Sequence, residues 1–413
     1  MKEIEFATKI RSAGGRVFIV GGWVRDFLRK CEAHDKDYMV TGLTEAQFCK
    51  FLPDAVKVGK SFPVYLVTID GRKTEVAFAR KERKTGSGYR GFAVEFDSSV
   101  TAEEDLYRRD TTMNALAMEL PERTLIDLYG GAKDIKEKRI RAVSRHFCED
   151  PVRALRAARQ AAELGFAIDE NTYRLMASCQ EELAAEPSER LFSELRRALQ
   201  APQPSVFFRS LLRANLLKET FPELFALIGK TQPAAFHPEG DAFEHTMLTV
   251  DAVAASTDSV IARFCGLVHD LGKGTTPKAM EPHHYGHEER GLTVLKQWNR
   301  RMTLPREWLQ AGLFIIREHM RAPRLGKAAK IADLLLAVDK SCLSWPEFCA
   351  VIQADHHSLP VYLSAGEKIA ARMQEVSGKD APSSLSGRQI GDWIRRKQIS
   401  VYRSIVIESD SFD

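Results

Sequence analysis

The hydrophobic pattern of this sequence changes character at Asp150. Upstream, short β-branched and aromatic runs alternate with helical stretches. Val17-Phe-Ile-Val20 predicts a buried strand stopped by Gly21-Gly22, a helix follows from Trp23, and Asp37-Tyr-Met-Val40 predicts a second strand. Val64–Ile69 and Thr74–Ala79 flank Asp70-Gly71-Arg72-Lys73, a hairpin signal with a glycine near its tip. Downstream of Asp150, Ala, Leu, Glu and Arg dominate and Pro or Gly serve only as punctuation, which is a helical composition. At 413 residues the chain has room for two or three units of roughly 100–200 residues, each able to bury its own core. The expected plan is an α/β head at 1–140, a helical neck and body at 141–227, a helical His-rich unit at 228–365 and a short helical tail at 366–413. Ile228–Asp241, with two Gly and two Pro, is the expected linker, and a weaker break lies at Ser377–Pro382.

Composition closes off several classes of protein. Hydrophobic residues at 44% with 28% charged exclude wholesale disorder. A net charge of +4 is compatible with a nucleic-acid partner without arguing for one. Seven scattered cysteines with no CxxC pair read as reduced thiols of a cytoplasmic protein, with neither a disulfide framework nor a zinc ribbon. The start, Met1-Lys-Glu-Ile-Glu-Phe6, carries acids where a signal peptide is basic then apolar. No apolar run approaches the roughly eighteen residues of a membrane span. No membrane partner is expected, and nothing in the sequence specifies an oligomer.

In the head, Gly21-Gly22-Trp23-Val24-Arg25-Asp26 sits between strand and helix, where paired glycines let backbone N–H groups approach an anion and Arg25 adds a fixed charge. Alone, such a turn is as well a tight corner. His34-Asp35-Lys36-Asp37 sharpens it. Residues i and i+2 of a strand share a face, so Asp35 and Asp37 are expected to present paired carboxylates suited to Mg²⁺. A phosphate turn beside paired carboxylates supplies the parts for two-metal chemistry on a nucleoside triphosphate. Glu75, an acid in the otherwise apolar hairpin strand, is the third catalytic candidate. Arg80–Arg90 is a basic, Gly-rich loop, either an ordinary solvated one or a flap over a nucleotide. Arg108 and Arg109 suit phosphates. Asp110 and Asn114, at i and i+4, are expected to share a helix face that holds a ribose hydroxyl and a phosphate.

Glu149-Asp150-Pro151-Val152-Arg153 opens the helical middle, with Asp150 suited to the N-cap and Pro151 to the first turn. The pair has a second reading. Cytosine and adenine each present an amino donor beside a ring-nitrogen acceptor, so one carboxylate and one guanidinium serve both bases. Uracil and guanine present a carbonyl and an N–H there and would leave buried partners unpaired. An Asp150–Arg153 pair would thus select CTP and ATP with no nucleic-acid template, with Arg156 and Arg159 as further nucleotide-binding candidates.

Taken in order, Gly21-Gly22-x-x-Arg25-Asp26, Asp35-x-Asp37, Arg108-Arg109-Asp110-x-Thr112-x-Asn114-Ala115, Asp127-Leu-Tyr-Gly130-Gly131, Glu149-Asp150-x-x-Arg153 and Pro187-Ser-Glu189-Arg190-x-x-x-Glu194 resemble the class II tRNA nucleotidyltransferases, the CCA-adding enzymes of the polymerase β superfamily. The resemblance covers about the first half of the chain. It implies an α/β nucleotidyltransferase head followed by an all-helical neck and body. It also implies an Asp35/Asp37 metal site with Mg²⁺, triphosphate contacts from Gly22 and Arg25, ribose and phosphate contacts from Arg109–Asn114, and base selection by Asp150 and Arg153. Thr111 departs from the family, which often has an apolar or aromatic residue there.

The third unit carries His245, His269-Asp270-Leu271-Gly272-Lys273, His283-His284-x-x-His287, His319 and Asp355. Adjacent His269-Asp270, with His245 upstream and Asp355 far downstream, is the ligand set of an HD phosphohydrolase, and imidazole with carboxylate suits Mg²⁺, Mn²⁺ or a transition metal such as Ni²⁺. His284, His287 and His319 add ligands or phosphate contacts. With His237-Pro238-Glu239 before it and Gly387–Arg396 after, this half resembles the gammaproteobacterial CCA-adding enzymes that carry a helical HD domain. That resemblance implies 2′,3′-cyclic phosphodiesterase, 2′-nucleotidase and phosphatase activities, with the tRNA 3′ end, CTP and ATP as partners. The alternatives are a poly(A) polymerase of the same superfamily, or a partial enzyme adding only CC or only A. The HD set and the acidic end Glu408–Asp413 weigh against the first, and the basic loop at Arg80–Arg90 against a CC-only enzyme. A non-catalytic RNA-binding protein would not need the full carboxylate set.

Overall fold

The computed structural model describes residues 1–33, 35–58, 63–84, 86, 92–235 and 237–410. The chain forms two compact units, Met1–Glu194 with Arg209–Thr220, and Leu195–Phe208 with Phe221–Asp413.

The first unit is built on strands β1 (Arg16–Val20), β2 (Asp37–Thr41), β3 (Val56–Lys57), β4 (Val64–Ile69), β5 (Arg72–Phe78), β6 (Lys81–Lys84), β7 (Phe92–Glu95), β8 (Ala117–Leu120) and β9 (Thr124–Ile126). Among the described residues, seven of them make one mixed sheet in the order β3-β4-β5-β2-β1-β8-β9, while β6 and β7 pair separately. β1 lies antiparallel to β2, with Val20 opposite Asp37, and β2 lies parallel to β5, with Tyr38 opposite Val76. Every residue of β1 after Arg16 is buried, which explains its near-continuous apolar run. Phe18, Val20, Met39, Leu106 and Ala117 pack in one cluster, and full burial of a side chain such as Phe18 contributes about 1.5–3 kcal/mol.

Two local expectations change. The β4–β5 connection is shorter than the expected four residues: Asp70 (φ 48°) and Gly71 (φ 79°) alone make the turn, and Arg72 and Lys73 are already in β5. Two successive positive-φ residues match the right-handed twist of the flanking strands, so the hairpin closes at once. Nor do Asp110 and Asn114 share a helix. The helix Ala102–Tyr107 stops before them and Thr112–Asn114 is a single 3₁₀ turn. The Asp110 carboxylate accepts the Thr111 N–H at 2.7 Å, the kind of side-chain-to-backbone bond that competes with a helix.

The second unit is helical. Asp241 caps Ala242–Ser256 by accepting the Phe243 and Glu244 N–H groups, and Ser259 caps Val260–Val268. His287–Arg301, Arg306–Glu318, Ala328–Asp339 and Trp345–His356 follow. Phe264 sits between Trp308 and Trp298 with ring centroids 4.9 and 6.2 Å away. The stretch expected to be a linker is tied into this unit instead: Thr231 bridges Asp241, Gln232 N–H donates to Gly240 O at 3.0 Å, and Lys230 Nζ donates to Thr276 O at 2.7 Å. Its Gly and Pro residues serve tight turns that return the chain to His245. Gly272 is required by close approach, since a Cβ there would lie 1.8 Å from the His287 carbonyl oxygen. Among the described residues no helix is long and apolar enough to cross a membrane.

Candidate active sites

The first unit's site is assembled around the β1–helix turn. Gly21 caps the helix Gly22–Leu28 at φ 73° and ψ −135°, a conformation other residues avoid. Arg25, on that helix, donates from Nε and Nη2 to Asp26 (3.0 and 2.7 Å) and from Nη1 to Asn114 Oδ1 (3.0 Å). Asn114 in turn donates to Asp110 Oδ1 at 3.1 Å, so the two residues meet through the 3₁₀ turn. Arg109 is held by Asp105, whose Oδ2 accepts from Nε and Nη2 at 3.2 and 3.0 Å, while Asp105 Oδ1 accepts Arg108 Nη2 at 2.6 Å. Asp105 is buried, and its role escaped the sequence reading although its i+3 and i+4 spacing to the two arginines was a signal for it.

β2 begins at Asp37, and Asp35 lies in the segment before it rather than on the strand. The parallel register that pairs Tyr38 with Val76 sets Glu75 level with Asp37, each one residue before that pair. The electrostatics agree with this crowding. Surrounding protein and then the Glu75 carboxylate push the Asp37 pKa up, Arg109 opposes them, and Asp35 adds to the rise. An Asp37 carboxylate whose ionisation is disfavoured by two neighbouring carboxylates belongs to a set that a divalent cation would relieve.

Asp110 behaves oppositely. Burial works against its ionisation, but Arg156, the Asn114 amide, the Thr111 N–H and Arg153 together hold its pKa below the ordinary value. Arg153 and Arg156 are thereby joined to the Arg25–Asn114–Asp110 network. Both lie on the helix Val152–Leu164, where Pro151 takes the N-cap position expected of Asp150, whose Oδ1, one residue earlier, accepts the Val152 N–H at 3.2 Å. Arg153 is buried and donates from Nη1 to His146 O at 2.6 Å. Arg190 adds a member to this corner that the sequence reading gave no role: its Nη2 lies 2.9 Å from both Asp150 oxygens. Arg159 is buried against Glu194 (2.6 Å) and Glu163 (2.5 Å), and Glu194 reaches Arg156 at 3.7 Å.

In the second unit, separate helices converge their ends and faces on one buried point. His245 comes from Ala242–Ser256, His269 and Asp270 from the end of Val260–Val268, His287 from the start of its helix, His319 from the end of Arg306–Glu318, and Asp355 from Trp345–His356. His245 Nε2 lies 3.1 Å from Asp355 Oδ1, 3.3 Å from His269 Nε2 and 3.7 Å from Asp270 Oδ2. Glu239, unassigned by the sequence reading, takes His245 Nδ1 at 2.8 Å. Lys273 Nζ sits 2.5 Å from Asp270 Oδ2. Burial opposes charge on His269, but Asp270 and Asp355 overcome it and raise its pKa to about 10. Burial likewise opposes ionisation of Asp270 and Asp355, yet Lys273 and His269 on the first, and His269 and His245 on the second, hold both well below the carboxylate range. Both Asp270 oxygens and Asp355 Oδ2 are buried without a well-directed hydrogen bond. Buried carboxylate oxygens short of hydrogen bonds and set among imidazole nitrogens fit a metal ion. Beside this cluster lies a cavity of about 490 Å³ lined by Lys273, His284, His287, Arg324 and Asp355 among others.

Comparison with known proteins gives the family of each unit. Residues 17–141 match the Poly A polymerase head domain, 165–228 the Probable RNA and SrmB- binding site of polymerase A, and 242–339 the HD domain. Fold and sites therefore define a nucleotidyltransferase head joined to an HD domain, two kinds of domain that depend on metal ions. The Multifunctional CCA protein of Teredinibacter turnerae is 40% identical over 351 residues, covering 82% of this chain and 84% of the relative. That of Xanthomonas campestris pv. campestris is 43% identical over 408 residues, covering 93% and 97%. The chain belongs to the multifunctional CCA protein family. Its fold is also that of the Bacillus stearothermophilus CCA-adding enzyme in complex with CTP (TM-score 0.66, 21% identity, 99% of this chain and 93% of that one). The Thermotoga maritima CCA-adding enzyme complexed with tRNA_CCA has a TM-score of 0.60 at 21% identity, covering 98% and 94%.

Proposed function

We propose that this chain adds or repairs the 3′-terminal CCA of tRNA from CTP and ATP without a nucleic-acid template, and that its second unit hydrolyses 2′,3′-cyclic and monoester phosphates at 3′ ends. The observation that carries the first activity is the meeting of Asp35, Asp37 and Glu75 with the Arg109 guanidinium, beside the Arg25–Asn114–Asp110 network. Asp35 and Asp37 would hold Mg²⁺, which when bound would supply activation of the attacking 3′-hydroxyl and stabilisation of the leaving pyrophosphate. Gly22, Arg25 and Arg109 receive the triphosphate, with Asp105 keeping Arg109 aimed. Asp110 and Asn114 hold the ribose and a phosphate. Asp150 and Arg153 read the amino group and ring acceptor that cytosine and adenine share, and Arg190 holds the Asp150 carboxylate through both of its oxygens. Arg159 orients Glu194, and through it Arg156.

In the second unit His245, His269, Asp270 and Asp355 would hold a divalent ion, Mg²⁺, Mn²⁺ or Ni²⁺, which when bound would polarise the phosphate, and Lys273 faces the adjoining cavity to offset the phosphate's charge. The four segments 1–140, 141–227, 228–365 and 366–413 serve as catalytic head, base-reading neck and body, hydrolase and tail. The place of action is the cytoplasm. Incubating the purified chain with tRNA lacking its 3′ end, one labelled NTP at a time, tests the main reading. Incorporation from CTP onto the shortened end and from ATP onto an end in -CC is expected; equal incorporation from UTP or GTP would overturn it.

A further inference from the structure

We propose that the exposed Tyr285 ring, backed by His283, is a stacking platform for the nucleobase of the nucleotide whose phosphate enters the second unit's cavity. The platform makes the unit select nucleotides over base-free phosphate esters. This rests on the reading of the unit as a phosphohydrolase and concerns the other end of its substrate.

His283 and Tyr285 flank the buried His284, and both line the cavity that also reaches Lys273, His287 and Asp355. Their rings lie nearly parallel, with centroids 5.5 Å apart and planes inclined by 22°, the offset stack that aromatic rings favour. His283 covers one face of the Tyr285 ring. With the residue still 71% exposed, the other face is open to a further ring. A lone exposed tyrosine needs no explanation. Here the stacked pair forms part of the wall of a cavity whose buried end carries the phosphate-handling residues, and that arrangement fits one ligand with an aromatic ring and a phosphate. The volume, about 490 Å³, exceeds what a phosphate alone needs and lies within the roughly 300–1,000 Å³ of small-molecule sites.

The platform is held in place by the residue between its two rings. His284 Nε2 donates to Thr231 O and Nδ1 accepts the Thr276 hydroxyl, each at 2.9 Å. A carbonyl only accepts, which fixes that tautomer. Both ring nitrogens are thus spent, so His284 is a strut and not the ligand or phosphate contact that its place in the sequence suggested. Arg290 donates from Nη1 to Tyr285 O at 2.7 Å and from Nη2 to Thr276 Oγ1 at 2.9 Å, and the His283 N–H donates to Met280 O at 2.9 Å. A backbone pinned at both exposed residues needs little further ordering when a ligand binds. His287, two residues from Tyr285, has its Nε2 3.3 Å from Asp270 Oδ1. Two residues span at most about 7 Å, a separation between base and phosphate that one ribose bridges. Stacking uses the π-face that every base has, so the platform takes any terminal base.

The test compares the full chain with Tyr285→Ala and Tyr285→Phe, with folding checked by circular dichroism. Hydrolysis of 2′,3′-cyclic AMP and of glycerol 2-phosphate, which has no base, is measured with Mn²⁺ supplied, and binding of 2′-AMP is measured by calorimetry. Tyr285→Ala should raise KM for the cyclic nucleotide and weaken 2′-AMP binding by about five- to a hundred-and-fiftyfold, one stacked base being worth about 1–3 kcal/mol. The preference for the nucleotide over glycerol 2-phosphate in kcat/KM should fall by the same factor. Tyr285→Phe should behave as the parent, because the stack needs the ring and not the hydroxyl. Equal losses on both esters would make Tyr285 a structural residue and overturn the platform. So would 2′-AMP binding that Tyr285→Ala leaves untouched, whether or not the unit hydrolyses anything. Binding of 2′-AMP that depends on Tyr285 in a parent that hydrolyses neither ester would support the platform and overturn the phosphohydrolase reading instead.

Discussion

Replacing Asp105 by Asn removes one charge from a site where two guanidiniums depend on it. The carboxylate is 1% exposed and accepts from Arg108 at 2.6 and 3.1 Å, from Arg109 at 3.0 and 3.2 Å, and from the Arg80 N–H at 3.3 Å. An Asn amide turns two donors toward one of the guanidiniums. Breaking a buried pair from one side costs about 3–5 kcal/mol, and here the low end applies, because the arginine side chains retain 16% and 19% exposure and recover some hydration. At about 2–4 °C per kcal/mol for a unit of this size, the expected fall in Tm is about 6–12 °C. The pH dependence has a definite sign. Burial raises the Asp105 pKa, but Arg109 and Arg108 outweigh it, so the folded-state value lies below the unfolded one. The stabilisation is therefore present above about pH 4 and is lost as pH falls through the folded pKa. Thermal melts of the parent and Asp105→Asn from pH 3 to 8 should show a constant gap at neutral pH that narrows at the acid end. KM for CTP should rise, since Arg109 is no longer aimed. A Tm unchanged at pH 7, or a gap that widens on acidification, would refute the reasoning.

Three further outcomes follow from the sites. Asp35→Ala or Asp37→Ala should abolish C and A addition together while tRNA binding, measured by filter retention, persists; normal AMP incorporation with lost CMP incorporation would contradict a shared metal site. His269→Ala with Asp270→Ala should remove hydrolysis of 2′,3′-cyclic AMP yet leave CCA addition near the parent rate, as both residues lie outside every nucleotide motif; persisting hydrolysis would show the ligands to be misassigned. Arg153→Ala should narrow the advantage of CTP over UTP in kcat/KM by roughly ten- to a hundredfold, since each buried polar group left unpaired is worth about 1–3 kcal/mol; an unchanged ratio would leave the arginine a structural one.

Much of this was legible in the sequence because the chemistry is carried by compact motifs. The Gly21-Gly22 turn, the Asp35-x-Asp37 pair and His269-Asp270 are each a few residues long, and their residue types already limit what they can bind. What could not be read depends on packing between distant segments. Arg190 reaches Asp150 across forty residues, and Asp355 reaches His245 across 110. The second pair was reached only through a family resemblance. Asp110 and Asn114 were expected to share a helix face; they meet without one, through a direct hydrogen bond. Spacing of four suggests a helix, but Asp110 lies ahead of the 3₁₀ turn Thr112–Asn114, and its bond to the Thr111 N–H competes with helix there. Ile228–Asp241 looked like a linker because turns and linkers share Gly and Pro; only the structure reveals that the turn carries Glu239 to His245.

The central claim is that protein side chains alone dictate a fixed three-nucleotide product. The most direct measurement is sequencing of the 3′ ends made by the purified chain from tRNA lacking CCA, with all four NTPs present. Ends that read C-C-A and stop are the predicted result. A run of A residues, or ends that halt uniformly at C-C, would contradict it.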